Sequence, residues 1–339
     1  MTKKIIITGG EGFVGSHAVE HFLKNTDWDI VVLDKLNYAS SGLDRLRDME
    51  CFEANRNRVK IFTPELQEPI TVGLAAEIGA VDYIINFASE SHVDRSIADP
   101  VNFIKNNVNL MLTMLEYARI VNPKKFIQFS TDEVYSEAPI GINYKEGERH
   151  NPGNPYSASK SAQEMICRAY SNTYGLPINI TNSSNIIGER QHSEKFLPLC
   201  IKKTLNGEIL KIHSNPDQTK AGSRFYLHAR NIAQALQFII EKTDEKIDKL
   251  DASKGCWNII SNDEIDNLTM AQKIAKIIGK ELKYELINFH SSRPGHETRY
   301  GLDGDKLKKA GFNYPVNFEE SLKKTVEWTL KPENKKWLQ

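Results

Sequence analysis

Over the first 130 residues, short β-branched apolar runs alternate with longer stretches whose apolar positions recur every three to four residues. Strands are predicted at Lys4–Thr8, Asp29–Asp34, Val59–Phe62, Tyr83–Ala88 and Phe126–Ser130. Helices are predicted at Gly15–Lys24, Ile70–Ile78 and Val101–Ile120. The runs IIIT, IVVL and YIINFA are continuous rather than alternating, which suits strands buried on both faces of a parallel sheet. This rhythm of repeated βαβ units predicts an α/β fold with a doubly wound parallel sheet. A polar loop, Glu137–Asn154, carries Pro139, Gly141, Pro152 and Gly153 and runs into a helix start at Pro155–Tyr156. After a strand at Ile178–Ser184 the character changes. Helices are predicted at Lys195–Asn206, Asn231–Lys242, Leu268–Ile278, Asp303–Ala310 and Phe318–Leu330, with strands at Ile209–His213, Trp257–Ile260 and Leu282–Ile287 and a polar stretch at Ser214–Ser223.

The chain has 339 residues, about two domains at roughly 150 residues each, and 40% hydrophobic residues supply a sizeable core. Lys+Arg 44 balance Asp+Glu 44, so no overall positive field draws the chain to nucleic acid or anionic lipid. No apolar run approaches the roughly 18 residues of a membrane span, and the opening three isoleucines are too short for a secretory segment. A cytoplasmic protein with no membrane partner is expected. Cys51, Cys167, Cys200 and Cys256 lie far apart without metal-ligand spacing, so reduced thiols and no metal site are expected.

Chemistry first shows at Thr8-Gly9-Gly10-Glu11-Gly12-Phe13-Val14-Gly15, between the first strand and first helix. Such glycines permit a tight turn and a close approach of backbone to a pyrophosphate at a helix N-terminus. Asp34, closing the next strand, suits ribose hydroxyls and repels a 2′-phosphate, so NAD is favoured over NADP. Two further groups stand out. Tyr156 and Lys160 are four residues apart, hence on one helix face, where an ammonium can lower a phenol's pKa. Thr131-Asp132-Glu133 follows a buried strand at its carboxyl end, where open α/β sheets bind ligands, and adjacent carboxyls in different surroundings can act as acid and base.

The Gly9, Gly12, Gly15 spacing and the Tyr156-to-Lys160 motif resemble the short-chain dehydrogenase/reductase superfamily, in its extended nucleotide-sugar branch. Further stretches narrow the resemblance to the dTDP-glucose 4,6-dehydratase family. They are Asp34 to Ala39, Ala88 to Ser96, Ser130 to Tyr135, Asn154 to Lys160, Glu194 to Pro198 and Arg293 to Glu297. The resemblance implies a Rossmann NAD-binding domain over 1–190, joined by about 225–260, and a smaller α/β domain, mainly nucleotide-sugar-binding, over 191–339. It implies Thr131, Asp132, Glu133, Tyr156 and Lys160 as the catalytic group. The cofactor would be held by Gly9, Gly12, Phe13, Val14, Gly15, Asp34, Lys35, Leu36, Asn37, Glu65, Leu66, Phe87, Ala88, Ser89 and Asn106, together with Tyr156 and Lys160. The substrate would meet Ser91, Thr131, Asn185, Lys195, Phe196, Leu197, Pro198, Arg224, Asn258, Arg293, His296 and Arg299. The implied reaction is oxidation at C4, removal of water across C5 and C6, and return of hydride to C6. A homodimer through paired helices is also implied.

This sequence departs from the family pattern at several positions: Thr63-Pro64-Glu65-Leu66 stands for a Gly-Asp-Ile run, Ser136 for a glycine, Asn182 for an arginine, Ile186-Ile187 for Asn-Tyr, Phe225 for an acid, Ile260 for a glycine and Leu110 for a glycine on the dimer helix. The nucleotide base is left open between dTDP and UDP. A related 4-epimerase or decarboxylase, and a non-catalytic NAD-binding regulator, are the alternative functions.

Overall fold

The computed structural model describes residues 2–38, 40–288 and 297–339. Its strands are β1 (Lys4–Thr8), β2 (Asp29–Leu33), β3 (Val59–Phe62), β4 (Tyr83–Asn86), β5 (Lys125–Thr131), β6 (Ile178–Ser183), β7 (Asn185–Ile187), β8 (Leu210–Ser214), β9 (Ser223–His228), β10 (Cys256–Ile259), β11 (Glu264–Asp266) and β12 (Tyr284–Asn288). Seven of them form one sheet in the order β10-β6-β5-β4-β1-β2-β3. Every neighbouring pair in it runs parallel. The expected doubly wound α/β fold is thus present. Between β1 and β4 the strand order reverses, and helices leave toward opposite faces on either side. That crevice is where such sheets take ligands.

The continuous apolar runs have the predicted consequence: Ile5 and Ile7 pack on one face with Phe22, Leu236 and Trp257, and Ile6 packs on the other with Met111, Met114 and Phe126. The first face is covered by α1 (Phe13–Asn25) and by the helix Ala229–Lys242; the second by α5 (Pro100–Val121) and α6 (Pro155–Tyr174), with the short helices α2 (Asp44–Arg47), α3 (Val72–Ile78) and α4 (Val93–Ala98) lying between α1 and α5 along the chain. The chain ends these helices by local chemistry. Asn154 caps α6 with its side chain accepting from Ser157 N, Ser157 Oγ accepts from Asn154 N in return, and Gly175 closes the far end in the left-handed region.

A second layer sits over the carboxyl ends of the large sheet. It consists of the three-stranded sheet β11-β9-β7 and the pair β12-β8, packed against the helices Phe196–Asn206, Asn267–Ile278 and Phe318–Leu330 around Ile201, Met270 and Leu322. Three of its strands, β7, β9 and β11, were not expected from the sequence. Among the described residues no helix is long and apolar enough to cross a membrane, and the four cysteines are unpaired.

Candidate active site

A cavity of about 490 Å³ runs along the carboxyl ends of β1, β2, β4 and β5 and under the second layer. At one end lies the glycine turn. Gly9 has φ +63, and a Cβ on Gly15 would lie 2.1 Å from the Gly9 carbonyl oxygen, so neither position accepts a side chain cheaply. Gly12 is the N-cap of α1 and offers no side chain to its first amides, which leaves the helix start open to an anion. Asp34 is held ready: its Oδ2 accepts from Glu11 N and its Oδ1 from Leu36 N, each at 2.9 Å. These features fit a dinucleotide, with the pyrophosphate at the turn and a ribose at Asp34. Around them the same cavity is lined by Phe13, Val14, Lys35, Asn37, Glu65, Leu66, Phe87, Ala88, Ser89 and Asn106. Leu36 does not line it; its contribution is the amide that orients Asp34.

Glu11 carries a feature the sequence reading missed. The side chain is fully buried inside the turn, neither carboxyl oxygen has a hydrogen-bond partner, and burial, reinforced by the charge of Asp34, pushes its pKa up to about 8. Burial thus favours the neutral form of Glu11, while the Leu36 and Glu11 amides favour the charged form of Asp34 against its own burial.

From the turn a buried hydrogen-bond chain crosses the sheet. Thr8 Oγ1 donates to Asn86 Oδ1 (2.6 Å), Asn86 Nδ2 to Gln128 Oε1 (2.7 Å) and Gln128 Nε2 to Gln163 Oε1 (3.0 Å). Gln163 Nε2 then donates to the Asn107 carbonyl (2.7 Å) on α5, and Asn107 Nδ2 to Ser159 Oγ (2.8 Å). Each member has its partner, so the polar file locks β1, β4, β5, α5 and α6 in one register. It thereby fixes Lys160 relative to the glycine turn.

The catalytic candidates meet at the middle of the cavity. Thr131 ends β5; Asp132 and Glu133 open a 3₁₀ turn over Asp132–Tyr135; Tyr156 and Lys160 project from the first turns of α6, and all five line the wall. Lys160 Nζ donates to the Phe129 carbonyl at 2.7 Å. Asp132 is 5% exposed, and burial plus the neighbouring Glu133 charge raise its pKa to about 7, against the opposing pull of Arg224 and of Thr131 Oγ1, which donates to Asp132 Oδ1 at 3.1 Å. Glu133 is also raised by burial, but it accepts from Asn154 Nδ2 at 3.3 Å and feels Arg224 and Lys195. Tyr300 Oη lies 3.5 Å from Glu133 Oε2, a contact that no sequence signal announced.

Lys160 is lowered to about 8 by burial, with Glu164 opposing. Tyr156 moves the other way from the sequence expectation. Burial, then Glu133, pushes its phenol upward, and a hydrogen bond with Thr131 is what lowers it. Burial and the two neighbouring carboxyl groups all disfavour the phenolate.

On the far side, Ser91, Asn185, Lys195, Phe196 and Arg224 line the cavity, joined by Tyr226, Gln191, His192 and His213, which the sequence reading did not single out. The Arg224 guanidinium is anchored by the carbonyls of Ser223, Thr298 and Glu297, each at 2.7 Å, and stacks over the Tyr300 ring. Four expected substrate residues lie off the wall. Arg299, 6% exposed, is spent on Glu264 (2.7 and 2.9 Å) and on the carbonyls of Ala138, Pro139 and Ile142. Asn258, on the edge strand β10 of the large sheet, donates to the Tyr144 and Asp303 carbonyls at 3.0 Å and ties that strand to the segments around them. Leu197 and Pro198 are buried on the inner side of their helix, Leu197 in the second-layer core. Arg293 and His296 lie outside the described residues. Leu110, read as an interface position, is instead buried and forms part of the cavity wall. No cluster of metal-ligating side chains occurs among the described residues; His92 Nε2 faces Glu194 at 3.3 Å.

Comparison with known proteins agrees with this geometry. The family model for GDP-mannose 4,6 dehydratase matches residues 6–325. The chain is 33% identical over 364 residues to the dTDP-glucose 4,6-dehydratase of Escherichia coli, covering 99% of this chain and 95% of that protein. It is 33% identical to the trifunctional UDP-glucose 4,6-dehydratase/UDP-4-keto-6-deoxy-D-glucose 3,5-epimerase/UDP-4-keto-L-rhamnose-reductase RHM2 of Arabidopsis thaliana, covering 98% of this chain but only 48% of that one, so it spans about half of the plant protein. Among solved structures, the dTDP-glucose 4,6-dehydratase DesIV of Streptomyces venezuelae, crystallised with NAD bound, superposes with a TM-score of 0.84 at 30% identity over 98% of both chains. The chain belongs to the nucleotide-sugar 4,6-dehydratase family of extended short-chain dehydrogenases/reductases.

Proposed function

We propose that the chain catalyses the NAD-dependent dehydration of a glucose nucleotide, dTDP-glucose or UDP-glucose, to the 4-keto-6-deoxy sugar nucleotide. The observation that carries this reading is the pair Asp132, buried, and Glu133, half-buried, beside Tyr156 and Lys160 on one cavity wall and held in different surroundings. An epimerase would need only the tyrosine and lysine.

NAD, which the glycine turn, Asp34 and Lys160 would hold, would supply the two-electron chemistry of hydride removal and return. Tyr156 takes the proton of the C4 hydroxyl, steadied by Thr131 and by the charge on Lys160. Oxidation of C4 makes the C5 hydrogen acidic, since it now lies α to a carbonyl. Glu133, an acceptor of hydrogen bonds, removes that proton. Asp132, half protonated near pH 7, gives its proton to the C6 hydroxyl as the C6–O bond breaks, releasing water. Glu133 then restores a proton to C5. Lys195 and Arg224 face the diphosphate, while Ser91 and Asn185 border the sugar.

Two copies pair through the outer faces of α5 and α6. Ile104, Val108 and Leu112 on α5, with Ala158, Ala162 and Met165 on α6, form half-buried to exposed apolar stripes on a single chain. The unpaired thiols suit a reducing cytoplasm.

The test is incubation with dTDP-glucose and with UDP-glucose, followed by the product's mass. Loss of one water from either substrate supports the reading and identifies the base. Unchanged mass with altered retention points to an epimerase, and no turnover of either overturns the proposal.

A further inference from the structure

Lys160 must be charged to steady a phenolate, yet it is buried, and burial works against its charge. One turn further along α6, at the fourth residue, stands Glu164, 1% exposed. Its Oε1 accepts from Ser130 Oγ at 2.5 Å and from Asn182 Nδ2 at 2.7 Å, and its Oε2 lies 3.4 Å from His150 Nε2. Ser130 immediately precedes the catalytic Thr131, and His150 is fixed from its other side by Ser161 Oγ at 2.9 Å. A buried carboxyl held by neutral donors in this way is oriented without being neutralised. Asn182 is one of the positions where this sequence departs from the family arginine, so the donor on β6 brings no charge of its own.

We propose that Glu164 is a positioning residue of the reaction, its buried carboxylate keeping the Lys160 ammonium charged and thereby serving Tyr156. This inference rests on Tyr156 and Lys160 forming the acid/base pair of the proposed reaction.

The groups around Glu164 leave Lys160 as the one that changes charge between pH 7 and 9. Arg168, on the same helix, donates to Cys256 Sγ at 3.1 Å. Cys167 on α6, Tyr135 on the 3₁₀ turn and Cys256 on β10 are pushed upward by burial and stay neutral there, Cys256 to about 12. His150 is lowered by burial, hence neutral at pH 7 and above. Lys160, at about 8 with Glu164 opposing its burial, is charged below that pH and loses its proton above it. Removing the carboxylate charge moves that loss to lower pH.

The experiment compares the wild-type protein with Glu164→Gln and Glu164→Asp. The first readout is the single-turnover rate of sugar oxidation against pH, followed by nicotinamide absorbance. The second, independent of turnover, is the ¹³Cε titration of Lys160, assigned by its absence in Lys160→Met. In Glu164→Gln the alkaline limb moves down by about one pH unit, so that the rate at pH 8.5 falls about tenfold while the rate at pH 6.5 changes less than about twofold. The Lys160 midpoint falls with it, and Glu164→Asp restores both. An unmoved midpoint, or a rate that drops equally at every pH, overturns the inference and reduces Glu164 to a packing role. A midpoint that moves in a protein that turns over neither nucleotide sugar supports the charge-holding role and overturns the proposed function instead.

Discussion

Asp132 and Glu133 are consecutive residues with different neighbours, and that difference decides what each can do. Burial and the Glu133 charge keep Asp132 protonated up to about pH 7 against the pull of Arg224 and Thr131; Glu133 is also raised by burial, but Asn154, Arg224 and Lys195 favour its charged form. Asp132→Asn and Glu133→Gln should therefore each slow water loss by about 10²–10⁴ while leaving oxidation at C4 within about tenfold of wild type. Rapid-quench analysis of the 4-ketone and of the final product checks this, and equal loss of both steps contradicts it. The pH dependence has a definite sign. Because the folded Asp132 pKa is raised, its acid form is lost as pH rises through about 7, so elimination should weaken above pH 7. Oxidation should hold until Lys160 deprotonates near 8. At this scale Arg299 shows how a residue pattern misleads. The resemblance implies Arg299 as a substrate residue, but nothing in the residue pattern shows that Glu264 and three carbonyls claim its guanidinium.

Among the elements, the glycine turn and α1 form the unit whose geometry is least replaceable. A methyl group on Gly15 would sit 2.1 Å from the Gly9 carbonyl oxygen, so Gly15→Ala has to open the turn or shift the helix, at a cost of about 1–3 kcal/mol. Protein purified with this substitution should carry less than about a tenth of the wild-type NAD content, measured by chromatography of the nucleotide released on denaturation; an unchanged content would refute the turn as the pyrophosphate cradle. Central strands and amphipathic helices were legible because burial on two faces, or on one stripe, imprints a period on the sequence. β7 and β11 are three residues long and β9 mixes arginine with aromatic residues, so their identity comes from partners remote in sequence: Asn185 pairs with Tyr226, and Glu264 with Phe225. Short local windows do not contain that information. Leu110 illustrates the same limit on a helix, since its inward direction depends on where the sheet and cavity lie.

Across the whole molecule, the reversal of strand order between β1 and β4 and the second layer above it create one cavity that holds the dinucleotide cradle, the acid pair and the tyrosine-lysine pair together. The cradle, the carboxyl pair and the Tyr156–Lys160 spacing could be read from the chain because each is a local motif. Part of the far wall could not, since Tyr226 and His213 reach it only through tertiary folding. Such an architecture suits a reaction that removes a hydride and gives it back without releasing the cofactor, and this internal return is the central claim. The direct measurement uses a glucose nucleotide carrying deuterium at C4, with the product located by mass and NMR. A product lighter by one water with the deuterium at C6 is predicted; a product that keeps its water, or that has lost the label to solvent, contradicts the account.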